Sequence, residues 1–259
     1  MYSKNLPAVL CMIVISCQQG NSIHPNKHQS DTTPVIAENA NPYRSIAAIP
    51  LPENFTRQAT DSNSFGNWLR KRNLKKNKTV YLYNGAEKQN QRAQFAVMDI
   101  SVGNKDLQQC ADAVMRLRAE YLFEMKKFDQ VFFTDNANTR YQFTSPYTKD
   151  HLLRYLETVF GMCGSASLEK QLHKKNINNI EPGDVLIRGG FPGHAAIVMD
   201  VAVNKEGKKI FMLAQSYMPA QDIHVLVNPQ DENLSPWYQI EEEIVSPEYV
   251  FRKGELRGW

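Results

Sequence analysis

Thiol chemistry at a carbonyl needs a nucleophilic sulfur, an imidazole that takes and returns its proton, and a third group that holds the ring. Three residues have the types and the chain order for it: Cys110, His194 and Gln215. Cys110 stands in DLQQCADAVMRLRAEYL (residues 106–122), close to the start of an expected helix. There the free backbone N–H groups and the macrodipole favour thiolate over thiol. His194 opens the second of two apolar runs in GDVLIRGGFPGHAAIVMD (residues 183–200), which a glycine-rich turn joins. A histidine at a strand mouth, beside flexible backbone, is well placed to act as a base. Each residue also has a plainer reading. Cys110 suits a small buried apolar position, and His194 suits a strand cap.

The third group follows from strand pairing. If residues 194–203 and 209–216 form a hairpin about 204–207, an even-length loop puts Gln215 or Tyr217 on the face of His194, and an odd one puts Ser216 there. Gln215 is the choice, because its side-chain carbonyl accepts from a ring N–H. Asp200 shares that face in a regular strand, but at ~3.3 Å per residue it lies roughly 20 Å from the ring, out of reach. Gln109 offers an amide to an oxyanion hole, although a polar helix face accounts for it equally. His224, in QDIHVL, is the alternative base; its apolar neighbours read more simply as a buried histidine.

These residues need elements to position them. Residues 107–127 keep a helical apolar stripe (Leu107, Ala111, Val114, Leu117, Tyr121, Met125), with Asp106 as the expected N-cap and Cys110 one turn in. Further helices are expected over 62–72, 149–160 and 165–174, the last capped by Ser165. Residues 79–83 and 94–102 read as a hairpin with a long polar connection. Short strands are expected at 131–134 and 141–144, and others at 185–188, 194–203, 209–216 and 223–227. Residues 248–252 read as extended within an otherwise irregular end. Helices early and strands late give an α+β domain over 42–259, with helices packed on an antiparallel sheet.

The chain has 259 residues, is 42% hydrophobic and 22% charged, and carries a formal net charge of +3. No dense Lys/Arg run with interleaved aromatics occurs, so nucleic acid is not an expected partner. Lys4 precedes an apolar run over residues 6–15 that ends in Ser16-Cys17, the layout of a secretory signal and too short to span a membrane. The placement of Cys17 resembles the bacterial lipobox. Residues 1–17 are therefore read as a lipoprotein signal, with membrane attachment through lipid on Cys17. Residues 18–41 are polar, with two prolines, and read as a flexible tether. Export leaves Cys110 and Cys163 in the folded part, where two thiols in an oxidising compartment can pair. Such a disulfide would argue against a nucleophile. There is no CxxC or Cys/His cluster to hold structural zinc, and no cofactor is implied.

The blocks 106–122, 183–200, LAQSYMPAQDIHVL (213–226) and SPWY (235–238) resemble a family of Bacteroidota lipoproteins known as a domain of unknown function, from about Pro42 to the C-terminus. More distantly, the chain resembles papain-like cell-wall hydrolases of the NlpC and CHAP type. These place a Cys at a helix start, then a Gly-Asp strand, a Gly-His strand and a polar residue on the next strand. The matching positions are Cys110, Gly183-Asp184, Gly193-His194 and Gln215. The sequence departs from that pattern where Ala-Asp follows Cys110 in place of Ser-Gly, and where a helical insert separates Cys110 from the sheet. The resemblance implies a papain-like core with an N-terminal extension, and a lipid-anchored thiol hydrolase or amidase at the cell envelope, on the outer membrane. A cell-wall peptide or glycan is then the expected substrate. The alternative is a non-catalytic surface lipoprotein that binds a glycan, peptide or partner protein through Tyr217, Trp237 and Tyr238. Burial of those aromatics in the core is the competing reading.

Overall fold

The computed structural model describes residues 39–259. The expected signal segment, the expected lipidation site Cys17 and the expected tether up to residue 38 lie outside the described residues. In chain order the elements are β1 (Phe55–Arg57), α1 (Phe65–Arg70), β2 (Gln94–Val97), α2 (Cys110–Glu124), β3 (Phe132–Thr134), β4 (Arg140–Gln142), α3 (Lys149–Met162) and α4 (Ser165–Gln171). They continue with β5 (His173–Lys174), β6 (Val185–Arg188), β7 (His194–Asn204), β8 (Lys209–Gln215), β9 (His224–Leu226), β10 (Trp237–Gln239), β11 (Glu243–Val245), β12 (Val250–Arg252) and β13 (Leu256–Gly258).

β7 is the axis of an antiparallel sheet ordered β2-β9-β8-β7-β6-β13-β5, with β1 added to β7 and β10 to β8. Its residues 194–202 are all buried, which explains why the sequence there is a continuous apolar run and not an alternation. One face (Ala195, Ile197, Met199) packs under helices, against Val114 and Leu117 of α2, Leu156 of α3 and Leu168 of α4. The other face (Ala196, Val198, Val201) is covered by Phe211, Tyr238, Ile244 and Phe251. The result is an α+β fold with a large antiparallel sheet.

Several expectations need correction. The register of β7 on β8 shifts between Val198 and Asp200, a bulge that turns the strand over. Asp200 therefore leaves the face of His194 and meets Arg57 (2.7 Å) and Arg70 (2.5 Å) on the helical side. Residues 79–83 do not pair with β2. Their backbone is held by the side chains of Asp222 and Gln91, while β2 pairs with β9. Asp106 does not cap α2, because its carboxylate accepts from Ala220 N at 2.7 Å. Asp112 instead accepts from Gln109 N at 3.0 Å, so the helix begins at Cys110 and not at 107. Gly164 takes the N-cap position of α4, and Ser165 is its first residue. The irregular end contains β10 to β13, each too short, at three residues, to show a period.

The carboxylate of Asp200 is wholly buried, and both its oxygens are used by the two guanidinium groups and by Val201 N–H. It ties β1 and α1 to the middle of β7. Removing one partner strands charge in the interior, which costs about 3–5 kcal/mol, whereas the intact cluster is worth little net. Arg70→Leu should therefore lower unfolding stability by about 3 kcal/mol in urea denaturation; a loss under about 1 kcal/mol would show that Arg57 alone suffices.

Candidate active site

Cys110 is the first residue of α2, and two contacts fix that helix end against the sheet. The Ser216 hydroxyl, at the end of β8, lies 2.9 Å from the carbonyls of Gln108 and Gln221 and donates to one at a time. The backbone amides of Ala195 in β7, of Ala111 and of Cys110 itself favour the ionised form of the thiol. Burial pushes the thiol up, the Asp112 carboxyl adds to this, and the three N–H groups oppose both. Burial also raises the Asp112 carboxyl well above the usual carboxylate range, against the opposing pull of the Gln109 N–H. Cys110 and Cys163 are both free thiols, and the expected alternative of a disulfide is not formed.

His194 begins β7 opposite Arg188 of β6. Its Nε2 lies 2.7 Å from Oε1 of Gln215, the last residue of β8, which leaves Nδ1 as the unengaged ring nitrogen. The ring is 2% exposed, packed among Tyr249 (4.8 Å), Tyr217 (5.1 Å) and Phe251 (5.7 Å). Burial lowers its pKa to about 4, against the opposing pull of Gln215 and Glu248, so the imidazole is neutral at neutral pH. No hydrogen bond joins the Cys110 sulfur to the His194 ring among the described residues.

Two further residues reach this site without any sign in the sequence. Gln215 Nε2 donates to Glu248 at 2.8 Å, and Lys88 Nζ donates to the same carboxylate at 2.8 Å. Neither lies in a motif or a periodic run, and only the folded chain brings them together. The secondary candidates separate clearly. Gln109 donates its amide to Asp106 at 3.2 Å and lines the cleft beside Cys110. Ser216 serves the helix end and makes no contact with the ring. Tyr217 presents an edge to His194. His224 is fully buried, pairs across from Gln215, approaches Asp222 O with Nδ1 at 2.9 Å, and is held neutral by burial at a pKa of about 3. Trp237 and Tyr238 are each 1% exposed and belong to the core, so they form no surface platform.

Cys110 lines a cleft of about 300 Å³ with Asp112, Cys163, Ser165 and the loop Gly190–Gly193. Phe191 (92% exposed) and Met218 (53%) stand at the cleft as apolar groups open to a ligand. Gly193 is required by close approach: a Cβ there would meet Ser165 Oγ and, at 2.7 and 2.8 Å, the carbonyls of Arg188 and Gly190. A larger cavity of about 660 Å³, lined by Arg118, Lys175, Asp184 and Trp259, contains none of Cys110, His194 and Gln215. It has a histidine, His173, but no thiol, whereas the smaller cleft holds both Cys110 and Cys163 and is not lined by His194 or Gln215. Among the described residues no group of His, Cys, Asp or Glu is placed to hold a metal.

The two buried imidazoles give the fold a pH dependence with a definite sign. Both take up protons at about 6.5 in the unfolded chain and only at about 4 and 3 in the folded one. The unfolded chain binds more protons below pH 6.5, so stability falls as pH falls through that window. His224→Asn keeps a donor for Asp222 O and removes one of the two groups. Urea denaturation at pH 7 and 4.5 should show a drop smaller than wild type by roughly 2 kcal/mol; equal drops would show that His224 titrates normally.

The chain matches no curated protein and no solved structure. One family model does match, in two overlapping segments over residues 46–148 and 134–258, which together span nearly all the described chain. The chain therefore belongs to the DUF4846 family, a domain of unknown function.

Proposed function

We propose that the protein is an exported, lipid-anchored thiol hydrolase of papain-like type that cleaves amide or peptide bonds at the cell envelope. One observation carries the reading: a thiol at a helix N-terminus lines an open cleft, and its ionised form is favoured by the amide of Ala195, the neighbour of a neutral imidazole held by Gln215. An acyl group entering past Phe191 and Met218 would bring its carbonyl to Cys110. The sulfur attacks as His194 Nδ1 takes the thiol proton, and N–H groups at the start of α2 donate to the developing oxyanion. The imidazolium returns the proton to the leaving amine, and water then releases the acyl group from sulfur. The raised thiol pKa implies that the proton moves during attack and not from a standing ion pair. The gap between sulfur and ring closes as substrate binds, as happens where unliganded contacts are loose. Lipid on Cys17 and the tether over 18–41 would hold the domain at the outer membrane, within reach of cell-wall peptides.

A second reading, a non-catalytic binding lipoprotein, draws on the missing sulfur–ring hydrogen bond and on Cys110 being only 8% exposed. Incubation with purified peptidoglycan peptides separates the two. The hydrolase reading expects new amine termini, released at least about 10³-fold more slowly by Cys110→Ala. Peptide retained intact by wild type and Cys110→Ala alike would establish the binding protein instead.

A further inference from the structure

We propose that Lys88 and Glu248 are positioning residues that lock His194 in the tautomer with its proton on Nε2. This rests on the reading of Cys110 as nucleophile and His194 as base. A glutamine amide can present either its oxygen or its nitrogen, and the orientation must come from its partners. Gln215 is completely buried, with His194 on one side and Glu248 on the other. An ionised carboxylate can only accept, so the Gln215 atom 2.8 Å from Glu248 has to be the NH₂ group. The amide oxygen is thereby turned to His194, where it too can only accept. The ring nitrogen 2.7 Å away must then carry the proton, and Nδ1 keeps its lone pair. Reversing the amide would set two oxygens against each other at Glu248. Moving the ring proton would set two acceptors against each other at Gln215.

The direction of the whole chain depends on Glu248 presenting an acceptor to Gln215. Lys88 supplies the counter-charge at 2.8 Å, with side chains 6% and 12% exposed, and Asn90 donates to the other carboxylate oxygen at 3.2 Å. Lys88 is itself fixed by its backbone N–H on Val80 O at 2.9 Å. So enclosed an ion pair adds little net stability, because desolvation offsets the attraction. What it supplies here is polarity, passed through one amide to a ring with a free nitrogen for the thiol.

Long-range ¹H–¹⁵N correlation of the histidine side chains in the full protein reads the tautomer directly. Wild type should show His194 protonated at Nε2. Glu248→Met, of similar volume but without an acceptor, should shift His194 toward the Nδ1-protonated form. It should also lower kcat about a hundredfold or more with little change in KM, since the wrong tautomer removes the base. Glu248→Gln, which keeps an acceptor at the same place, should restore both. A wild-type His194 protonated at Nδ1 would overturn the proposal without any variant, and so would an unchanged Nε2–H signal in Glu248→Met. The tautomer readout needs no substrate, so it stands or falls separately from turnover.

Discussion

The joint between the start of α2 and the ends of β7 and β8 is the constraint on which the rest of the site depends. Gln108 and Ser216 are buried there, and a single hydroxyl reaches across 108 residues of sequence to the carbonyl two places before Cys110. The backbone amide of Ala195 favours ionisation of the thiol from the β7 side. The helix N-terminus is thereby pressed against a strand mouth that already holds His194 and, through the β7–β8 pairing, Gln215. A helix start docked this way keeps its orphan N–H groups inside the cleft, where an oxyanion would form.

Burial then decides the protonation of nearly everything near the joint. It lowers His194 and His224 and raises Cys110 and Asp112, and so leaves a neutral thiol and neutral imidazoles at neutral pH. At the Lys88–Glu248 pair, 2.8 Å apart, burial lowers the lysine and the carboxylate opposes it. A neutral base with its ring proton directed away from the thiol is the state that proton abstraction starts from. Elsewhere a buried carboxylate serves the frame: Asp200 meets two arginines and holds β1 and α1 on the sheet.

Much of the framework was legible from residue pattern. β6, β7 and β8 are long apolar runs bounded by Gly, Pro and Asn, and α3 has a clear stripe, so their extents follow from periodicity and breakers. The meeting of His194 and Gln215 was chosen for the amide carbonyl, and the fold reaches it by another route: the turn pairs Val203 with Lys209, a register that alone would set Ser216 on the face of His194, and the bulge between Val198 and Asp200 puts Gln215 there instead. Where pattern failed, one local interaction had replaced another. The bulge at Met199 reversed the face of Asp200, since one inserted residue leaves no mark in an apolar run. Asp112 took the capping role that Asp106 seemed suited for, and moved Cys110 to the helix start. Tyr238 and Trp237, attractive as surface aromatics, fill the core under β8 because β10 is a strand too short to recognise. Glu248 and Lys88 lie 160 residues apart and meet only through tertiary packing.

The central claim is that His194 acts on Cys110. The most direct measurement is the single-turnover rate at which a peptide thioester acylates Cys110, followed by intact mass between about pH 3 and 8, in wild type and His194→Gln. With His194 as base, the wild-type rate should climb as the imidazole loses its proton through about pH 4 and then level off. His194→Gln should be slower by about 10²–10⁴-fold at neutral pH. Equal rates in the two proteins, rising only as the thiol itself ionises, would contradict a working pair.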